Sequence, residues 1–441
     1  MEEEKELPYI NHRRGLVTLS PLVVFFVVYV ISSIAAGDFY KMPVAVAFLI
    51  ASAWAFVVSK PKRLAQRVDR FSAGAAHRNI MMMLWIFILA GGFANSAKHI
   101  GAVDAMVNLT LGVLPANMLL PGLFLAGCLI SLSIGTSVGT IVALMPMAVG
   151  LASGAGIAPA LMAGAVVGGA FFGDNLSFIS DTTIAATRTQ GCAMQDKFRA
   201  NFRIVLPAAV VVLVLYGAMG WAQPSAVHVA ATNYWLVLPY LLVLVCAIAG
   251  MNVMRVLFLG IAATCVTTLF LEGVSFFDWA SAVGTGITGM GELIIVTLLA
   301  AGMLELIRYN GGLSYIISHL CRGIRGKRSA ECSIALMAAL ANICTANNTV
   351  AIVAVGNIAR RLAHRFGIAP ARSASLLDTA SCVIQAVLPY GAQLLMAATL
   401  AGLSAMDIIP HLYYPFCMAV TALFFIIFGL GSTATPARRA R

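Results

Sequence analysis

The sequence predicts an all-α polytopic membrane protein with about ten spanning helices, two re-entrant hairpins and an inverted-topology repeat that contains two interrupted helices. Three observations lead to this fold class. The chain is too apolar for a water-soluble protein, its basic residues fall on one side of the predicted membrane, and its second half repeats its first half at a nearly constant spacing.

Composition excludes most classes of soluble protein. Of the 441 residues, 61% are hydrophobic and only 10% are charged, whereas about 25% charged residues is usual for a soluble domain. The mean hydropathy is +0.93. A soluble enzyme, a disordered protein and a nucleic-acid-binding protein are therefore excluded, despite a formal net charge of +11. The apolar runs are also about twice as long as the strands of a membrane β-barrel.

Long apolar runs predict the spanning helices. Two of these runs, at 117–151 and 331–366, are long enough to enter the membrane and return. Small polar residues interrupt the middle of each run, Gly135-Thr136-Ser137 in the first and Thr345-Ala346-Asn347-Asn348-Thr349 in the second. Both runs are therefore interpreted as re-entrant hairpins. The spanning segments are predicted near 16–36, 42–59, 80–98, 158–195, 202–222, 233–250, 253–272, 283–307, 372–403 and 411–430.

The basic residues predict the orientation of these segments. With both termini in the cytoplasm, all of the 28 Lys and Arg residues except Lys41 and Lys98 fall on the cytoplasmic side, as the positive-inside rule requires. The expected location is the cytoplasmic (inner) membrane of a bacterium. The opening stretch MEEEKELPYINHRR is too acidic for a signal peptide, so we expect the apolar run after it to be kept as a spanning helix.

Short matching motifs reveal the repeat. Ile157-Ala158-Pro159 closes the first hairpin, and Ile368-Ala369-Pro370 closes the second, 211 residues later. The ends of the first hairpin carry no Lys or Arg, whereas the ends of the second are rich in both, so the two hairpins are predicted to enter from opposite sides. The chain then divides into an N-terminal helical hairpin with a basic cytoplasmic loop (1–79), the first inverted repeat (80–222), linking helices (223–282), the second inverted repeat (283–430) and a basic cytoplasmic tail (431–441).

This organisation favours a secondary transporter. Inverted repeats with broken helices are typical of such proteins, with the substrate site near the membrane midplane where the repeats meet. No GxxxxGK[ST] motif occurs, so nothing indicates that ATP drives the protein. The nine cysteines form no CxxC pair and are interpreted as small buried residues rather than as disulfides or metal ligands.

The segment Gly173–Thr183, with the sequence GDNLSFISDTT, is the strongest local signal. Asp174 and Asp181 lie inside an apolar run, where each Asp costs about 2.5–3.5 kcal/mol. Polar backbone at this depth is tolerated where it lines a cavity, and its oxygen atoms suit a hard cation. A purely structural network at the ends of a broken helix is the alternative. The candidate cation- and proton-binding residues are Asp174, Asn175, Ser177, Ser180, Asp181 and Thr182, with Na+ expected at Asp174, Asn175 and Asp181.

The hairpin tips and a second interruption complete the candidate site. Helix N-termini and freed carbonyls at the tips can hold ions or an anionic substrate, although Ser and Thr also bond to their own helix. The second interruption contains no carboxylate, so a neutral supporting half is expected there. The residues concerned are Gly135, Thr136, Ser137, Thr345, Asn347, Asn348 and Thr349 at the tips, and Pro389, Gly391 and Gln393 in the second broken helix.

Other acidic residues are weaker candidates. Glu305 lies close to Arg308 in the sequence, and Asp378 lies six residues beyond Arg372. Pairing with these arginines at the membrane interface is the simplest interpretation for both acids. Glu292 follows a glycine-rich stretch and is a candidate to line the outer path to the site.

Gly173–Thr183, the GTSVGT tip and the LLD…PYGAQ pattern of the second half together resemble the NhaC-type Na+/H+ antiporter family of the ion transporter superfamily. The resemblance covers roughly residues 80–430. It implies exchange of Na+ for H+ by a transport domain that moves against a scaffold, often within a homodimer. It carries the ion-binding role to the six residues named above from Asp174 to Thr182. Two positions depart from the family pattern, Phe178 in place of Pro and Val138 in place of a bulky aromatic residue.

Three alternatives remain at the level of the sequence. A Na+- or H+-coupled carrier of a small organic acid or amino acid would use the same site. A passive channel is disfavoured by the two facing tips, and an intramembrane enzyme by the absence of HExxH or a nucleophile–base pair. Beyond Na+ and H+ no cofactor is expected, and the expected partners are membrane lipid and small ions or a small solute, with no nucleic acid.

Overall fold

The structure is a computed structural model that describes residues 12–36, 42–60, 63–221, 233–270, 274–321 and 324–430. All regular secondary structure in these ranges is helical. The first half contains α1 (His12–Ala36), α2 (Val44–Val58), α3 (Leu64–Ala75), α4 (Arg78–His99), α5 (Ala102–Val113), α6 (Leu119–Ile134), α7 (Ser137–Ala155), α8 (Pro159–Leu176), α9 (Asp181–Gln190) and α10 (Met194–Trp221).

The second half continues the helical order. The predicted tail at 431–441 lies outside the described residues. The helices are α11 (Leu238–Ile248), α12 (Val253–Leu269), α13 (Phe276–Gly289), α14 (Gly291–Tyr309), α15 (Gly312–Leu320), α16 (Lys327–Thr345), α17 (Asn348–Arg365), α18 (Pro370–Val387), α19 (Ala392–Ala401), α20 (Ala405–Ile408) and α21 (Tyr413–Ile427).

The helices have the length and composition of a polytopic membrane protein. Within the described residues, seven helices or helix pairs are long and apolar enough to cross a membrane, or eight if the bent pair 405–427 is one span. Both arms of the first hairpin are among the seven. Five shorter apolar helices are also present, and four of them, at Gly15–Tyr29, Val44–Val58, Tyr234–Ile248 and Val253–Leu269, coincide with predicted spans.

Apolar side chains lie on the surface and polar side chains lie in the interior, which is the reverse of a soluble protein. Helix α10 exposes Val210, Val211 and Val214 but buries Lys197 and Asn201. An apolar exterior around buried polar side chains is the arrangement expected when lipid is the solvent. The prediction of a multi-pass α-helical membrane protein is therefore confirmed.

Helix boundaries recur at the spacing found in the sequence. Helices α6 and α16 end at Ile134 and Thr345, and the next pair, α7 and α17, begins at Ser137 and Asn348. Each of these steps is 211 residues. Left-handed backbone follows the same spacing, because Gly135 has φ 75° and Ala346 has φ 46°. Ala346 is the one described residue other than glycine with a positive φ, so the second tip keeps a turn that favours glycine.

Several elements differ from the sequence prediction. Helices α5 and α15 occupy segments in which no helix was predicted, and α3 lies in the predicted basic cytoplasmic loop. The predicted span 283–307 is longer in the structure, because α13 and α14 meet at Met290 and together run from Phe276 to Tyr309. Helices α5 and α15 are short, at 12 and 9 residues, and so lack the length by which a span is recognised.

Close packing of α6 against α8 positions the first interruption, which is the non-helical stretch 177–180 between α8 and α9. A Cβ atom built on Gly173 would lie 2.4 Å from the backbone nitrogen of Leu132 and 2.7 Å from the carbonyl oxygen of Cys128. A Cβ on Gly169 would lie 2.4 Å from the carbonyl oxygen of Phe124. Only glycine permits this backbone-to-backbone approach, which is the small-residue packing that membrane helices use.

We expect Gly173→Ala to destabilise the protein by about 1–3 kcal/mol, because the new methyl group overlaps backbone atoms that cannot rotate away. The measurement is the midpoint of thermal unfolding of the purified protein in detergent. Gly284→Ala is the matched control, since a Cβ there has no neighbour within 4 Å in the described ranges. An unchanged midpoint for Gly173→Ala would contradict the described packing of α6 on α8.

Candidate ion-binding site

Asp174 lies at the centre of the site, in the last turn of α8. Its side chain is buried, and hydroxyl groups contact both carboxylate oxygens. The Ser137 hydroxyl donates to Oδ2 at 2.7 Å, and the Ser180 hydroxyl donates to Oδ1 at 2.6 Å. Ser180 also shares a hydrogen bond with the Thr182 hydroxyl at 2.9 Å. Among the residues that the structure describes, no Lys or Arg forms an ion pair with Asp174.

A chain of hydrogen bonds connects Asp174 to the second half of the protein. Gln393 Nε2 donates to the Ser137 hydroxyl at 3.1 Å. Gln385 Nε2 donates to Gln393 Oε1 at 2.8 Å and to the carbonyl oxygen of Ala346 at 3.2 Å. Both tips and both interrupted helices, all predicted from sequence, therefore meet in one polar network.

The two halves contribute unequally to this network. Gln385 lies 211 residues after Asp174, and Gln393 lies 211 residues after Thr182. The second half thus places neutral amides where the first half places a carboxylate and a hydroxyl. Gln385 Oε1 is buried and accepts no hydrogen bond from the described part of the chain.

A second buried cluster surrounds Asn175, on the next residue of α8. Lys197 Nζ donates to the carbonyl oxygen of Asn175 at 2.6 Å and to the Thr183 hydroxyl at 2.7 Å. Lys197 also forms an ion pair with Asp378. Asn201 Nδ2 donates to Asn175 Oδ1 at 2.8 Å. All five side chains are buried, so α8, α9, α10 and α18 meet around an internal ion pair.

The predicted Na+ ligands have different environments in the structure. Asp174 faces the hydroxyl groups, whereas the side chain of Asn175 faces Asn201. Asp181 is exposed at the first residue of α9. Ser177 donates to the carbonyl oxygen of Leu132 at 2.9 Å and so fastens the interruption to the end of α6. Of the six predicted cation-binding residues, Ser180 is hydrogen-bonded both to Asp174 and to Thr182.

The remaining tip residues mainly shape the tips. The carbonyl oxygen of Thr136 accepts from the Thr140 hydroxyl at 3.0 Å. In the second tip, the Thr345 hydroxyl donates to the carbonyl of Asn347, and Asn347 Oδ1 accepts from the backbone of Val350.

The structure also describes Asn348 at the second tip and two residues of the second interruption, which is the stretch 388–391 between α18 and α19. Asn348 Oδ1 accepts from the backbone of Thr349. Gly391 caps the start of α19, and Pro389 lines a cavity beside it.

The pairing predicted for Asp378 is wrong. Asp378 pairs with Lys197, while Arg372 pairs with Glu331 at 3.0 Å, and all four side chains are buried. The predicted pairing of Glu305 with Arg308 is present at 2.7 Å.

Sequence reasoning missed the cluster because it assigned Lys197 to a cytoplasmic loop. The spacing of Lys197 and Asn201 was an available signal, since residues four apart share one helix face.

Comparisons with known proteins identify the family. The sequence model of the Na+/H+ antiporter family matches residues 7–221 and 224–432. The chain belongs to the Na+/H+ antiporter family. It is therefore a secondary active transporter and not an enzyme, and the resemblance seen in the sequence is confirmed.

Individual relatives include both ion exchangers and solute carriers. The Na+/H+ antiporter NhaC of Bacillus subtilis strain 168 is 25% identical over 373 residues, covering 76% of this chain and 80% of the relative. The malate-2H+/Na+-lactate antiporter of the same organism is 20% identical over 438 residues, covering 91% and 92%. The arginine/ornithine antiporter ArcD of Halobacterium salinarum is 23% identical over 382 residues, covering 78% and 79%.

We expect Ser137→Ala to destabilise the protein by about 1.5–3 kcal/mol, because it removes a hydrogen bond to a charged group and leaves the amide of Gln393 without its acceptor. Thermal unfolding of the purified protein measures the loss. Ser133→Ala is the control, since within the described residues that hydroxyl bonds only to the carbonyl of Leu129 in its own helix. Equal effects of the two substitutions would contradict the described role of Ser137.

Proposed function

We propose that this antiporter exchanges Na+ for H+ at Asp174. The observation that carries the proposal is a buried carboxylate with two hydroxyl contacts and no cationic partner among the described residues. A carboxylate at this depth needs a positive charge beside it or a proton on it. Na+ and H+ then compete for one group, and this competition couples their movements.

The surrounding oxygen atoms support Na+ as the partner cation. Hydroxyl, amide and carboxylate oxygens are the ligands that hard cations prefer. Ser137, Ser180 and Thr182 supply hydroxyls, and Gln393 and Gln385 supply amide oxygens nearby. In this proposal Asp174 is the proton acceptor and the charged Na+ ligand, and the neutral groups complete the coordination.

We further propose an inverted-topology repeat with both termini in the cytoplasm. Segments predicted to share a side of the membrane lie together in the structure. On the predicted cytoplasmic side, Gln190 Nε2 donates to the carbonyl of Gly356 in α17 at 2.9 Å. On the predicted outer side, a Cβ on Gly220 would lie 2.1 Å from the carbonyl oxygen of Asn117, at the start of the first hairpin. These contacts support opposite entry of the two hairpins.

Two cavities support alternating access to the site. A cavity of about 300 Å³ lies between Tyr29, Glu292, Pro389 and Ser404, and so reaches the second interruption from the predicted outer side. A smaller cavity of about 70 Å³, lined by His77, Glu305 and Thr345 among others, reaches the second tip from the predicted cytoplasmic side. In the proposed cycle, hairpins and broken helices move against a scaffold so that one path opens as the other closes. The homodimer implied by the family resemblance stays a prediction.

The second candidate function is coupled transport of a small organic acid or amino acid. Relatives whose names include malate, lactate, arginine and ornithine favour it. In that case Na+ or H+ at Asp174 would be the coupling ion, and the solute would bind between the hairpin tips.

We expect Asp174→Asn to abolish Na+-dependent proton movement, because Asn neither binds a proton nor carries the charge that holds Na+. The measurement uses proteoliposomes with a trapped pH dye and an external pulse of Na+. Asp69→Asn is the control, since Asp69 is exposed on α3. Normal exchange in Asp174→Asn would contradict the proposal. Proton movement that requires an added acid or amino acid would favour the second candidate instead.

We expect Asp181→Asn to raise the Na+ concentration for half-maximal exchange while leaving the maximal rate within about twofold. The reason is that exposed Asp181 attracts cations from water but does not contact the Asp174 network. Initial rates across a Na+ series measure both quantities, and raising the ionic strength with choline chloride should shrink the difference. Complete loss of exchange would show that Asp181 is an essential ligand.

A further inference from the structure

An oxygen cage lies beside the Asp174 site, and the ammonium group of Lys197 occupies it. Three acceptors surround this group, namely the carbonyl oxygen of Asn175, the Thr183 hydroxyl and the carboxylate of Asp378. An ammonium group has three donors, so each donor has one partner. Carbonyl, hydroxyl and carboxylate oxygens form the same type of ligand set that binds a hard metal cation.

The cage belongs to the moving parts proposed for transport. Asn175 lies in the last turn of α8, where carbonyls lack intrahelical partners, and Thr183 lies in the first turn of α9. Asp378 lies in α18 of the other half. Asn201 Oδ1, next to the cage, is buried and has no partner in the described chain. The site thus joins both interrupted helices and retains one spare acceptor.

The burial of the pair requires a reason beyond charge balance. Lys197 and Asp378 are 1% and 0% exposed, and a buried ion pair is often no more stable than apolar side chains of similar volume. A fixed positive charge here has a specific consequence. It neutralises Asp378, whereas Asp174 has no cationic partner in the described part of the chain.

We propose that Lys197 is a tethered cation that permanently fills a second cation-binding cage and so limits the carrier to one exchangeable cation. The inference rests on the proposed function only for the identity of the exchanged ion. Without the Lys197 ammonium group, the cage would accept a free cation of similar charge and coordination. Na+ would then be held by Asn175, Thr183 and Asp378.

Three variants separate this role from simple structural support. Lys197→Ala removes the ammonium group and most of its stem, so the cage is vacant and Asp378 keeps its negative charge. Lys197→Met removes the charge but keeps an unbranched stem that fills the space. Lys197→Ala combined with Asp378→Asn vacates the cage and also removes its negative charge.

The test measures bound Na+ and thermal stability of the purified chain in detergent. Radioactive Na+ gives the number of ions bound, and unfolding midpoints are compared in NaCl, NH4Cl and choline chloride at equal ionic strength. We expect Lys197→Ala to bind one more Na+ than the natural sequence. Its midpoint should rise more steeply with Na+ and with NH4+, because a ligand of the folded state stabilises it by mass action. The other two variants should gain neither the ion nor the steeper dependence.

Several results would overturn the proposal. Lys197→Ala could fold but bind no additional Na+, or it could remain unfolded in both NaCl and NH4Cl. An equal gain in Lys197→Met or in the double variant would indicate a general salt effect. The comparison is between variants and needs no transport. If Na+ does not bind at Asp174, the Na+ count of every variant is lower, but the extra ion in Lys197→Ala remains.

Discussion

The rest of the structure depends on one constraint, a buried carboxylate that has no cationic partner among the residues the structure describes. Asp174 lies where an ionised group costs about 2.5–3.5 kcal/mol, and the hydroxyls of Ser137 and Ser180 stabilise it without neutralising it. In the proposed function this group is therefore accompanied by Na+ or carries a proton. Exchange of the two ions would then follow from this requirement together with the proposed access to one side of the membrane at a time.

The broken helices are the means by which donors reach this carboxylate. Ser137 begins α7 and Ser180 caps the start of α9, so the N-termini of two helices lie beside Asp174. Helix N-termini favour negative charge. The equivalent positions of the second half carry Gln385 and Gln393, which support the site without adding charge. The additional acid from that half, Asp378, is already paired with Lys197. Positions that match at the 211-residue spacing thus differ in charge between the two halves.

Sequence reasoning located the elements of the site but not all of their contacts. Apolar runs interrupted by small polar residues predicted both tips and both interruptions. Non-helical backbone inside a membrane is tolerated only where it is buried in protein or lines a cavity. The network of Ser137, Gln393 and Asp174 depends on how α7, α19 and α8 pack together, and helix spacing within one segment cannot give it. Lys197 was assigned to a loop because basic residues usually lie at the membrane surface, and its partner Asp378 lies 181 residues away. The 9-residue helix α15 was missed because it is too short to form a recognisable span.

Proton release on Na+ binding tests the central claim most directly. Purified protein in a weakly buffered detergent solution is titrated with NaCl at a pH where Asp174 is protonated, with choline chloride as the ionic-strength control, and released protons are counted against bound Na+. The account predicts nearly one proton released for each Na+ bound at Asp174. Saturable Na+ binding with no release of protons at any pH would contradict it, because the two ions would then occupy separate groups.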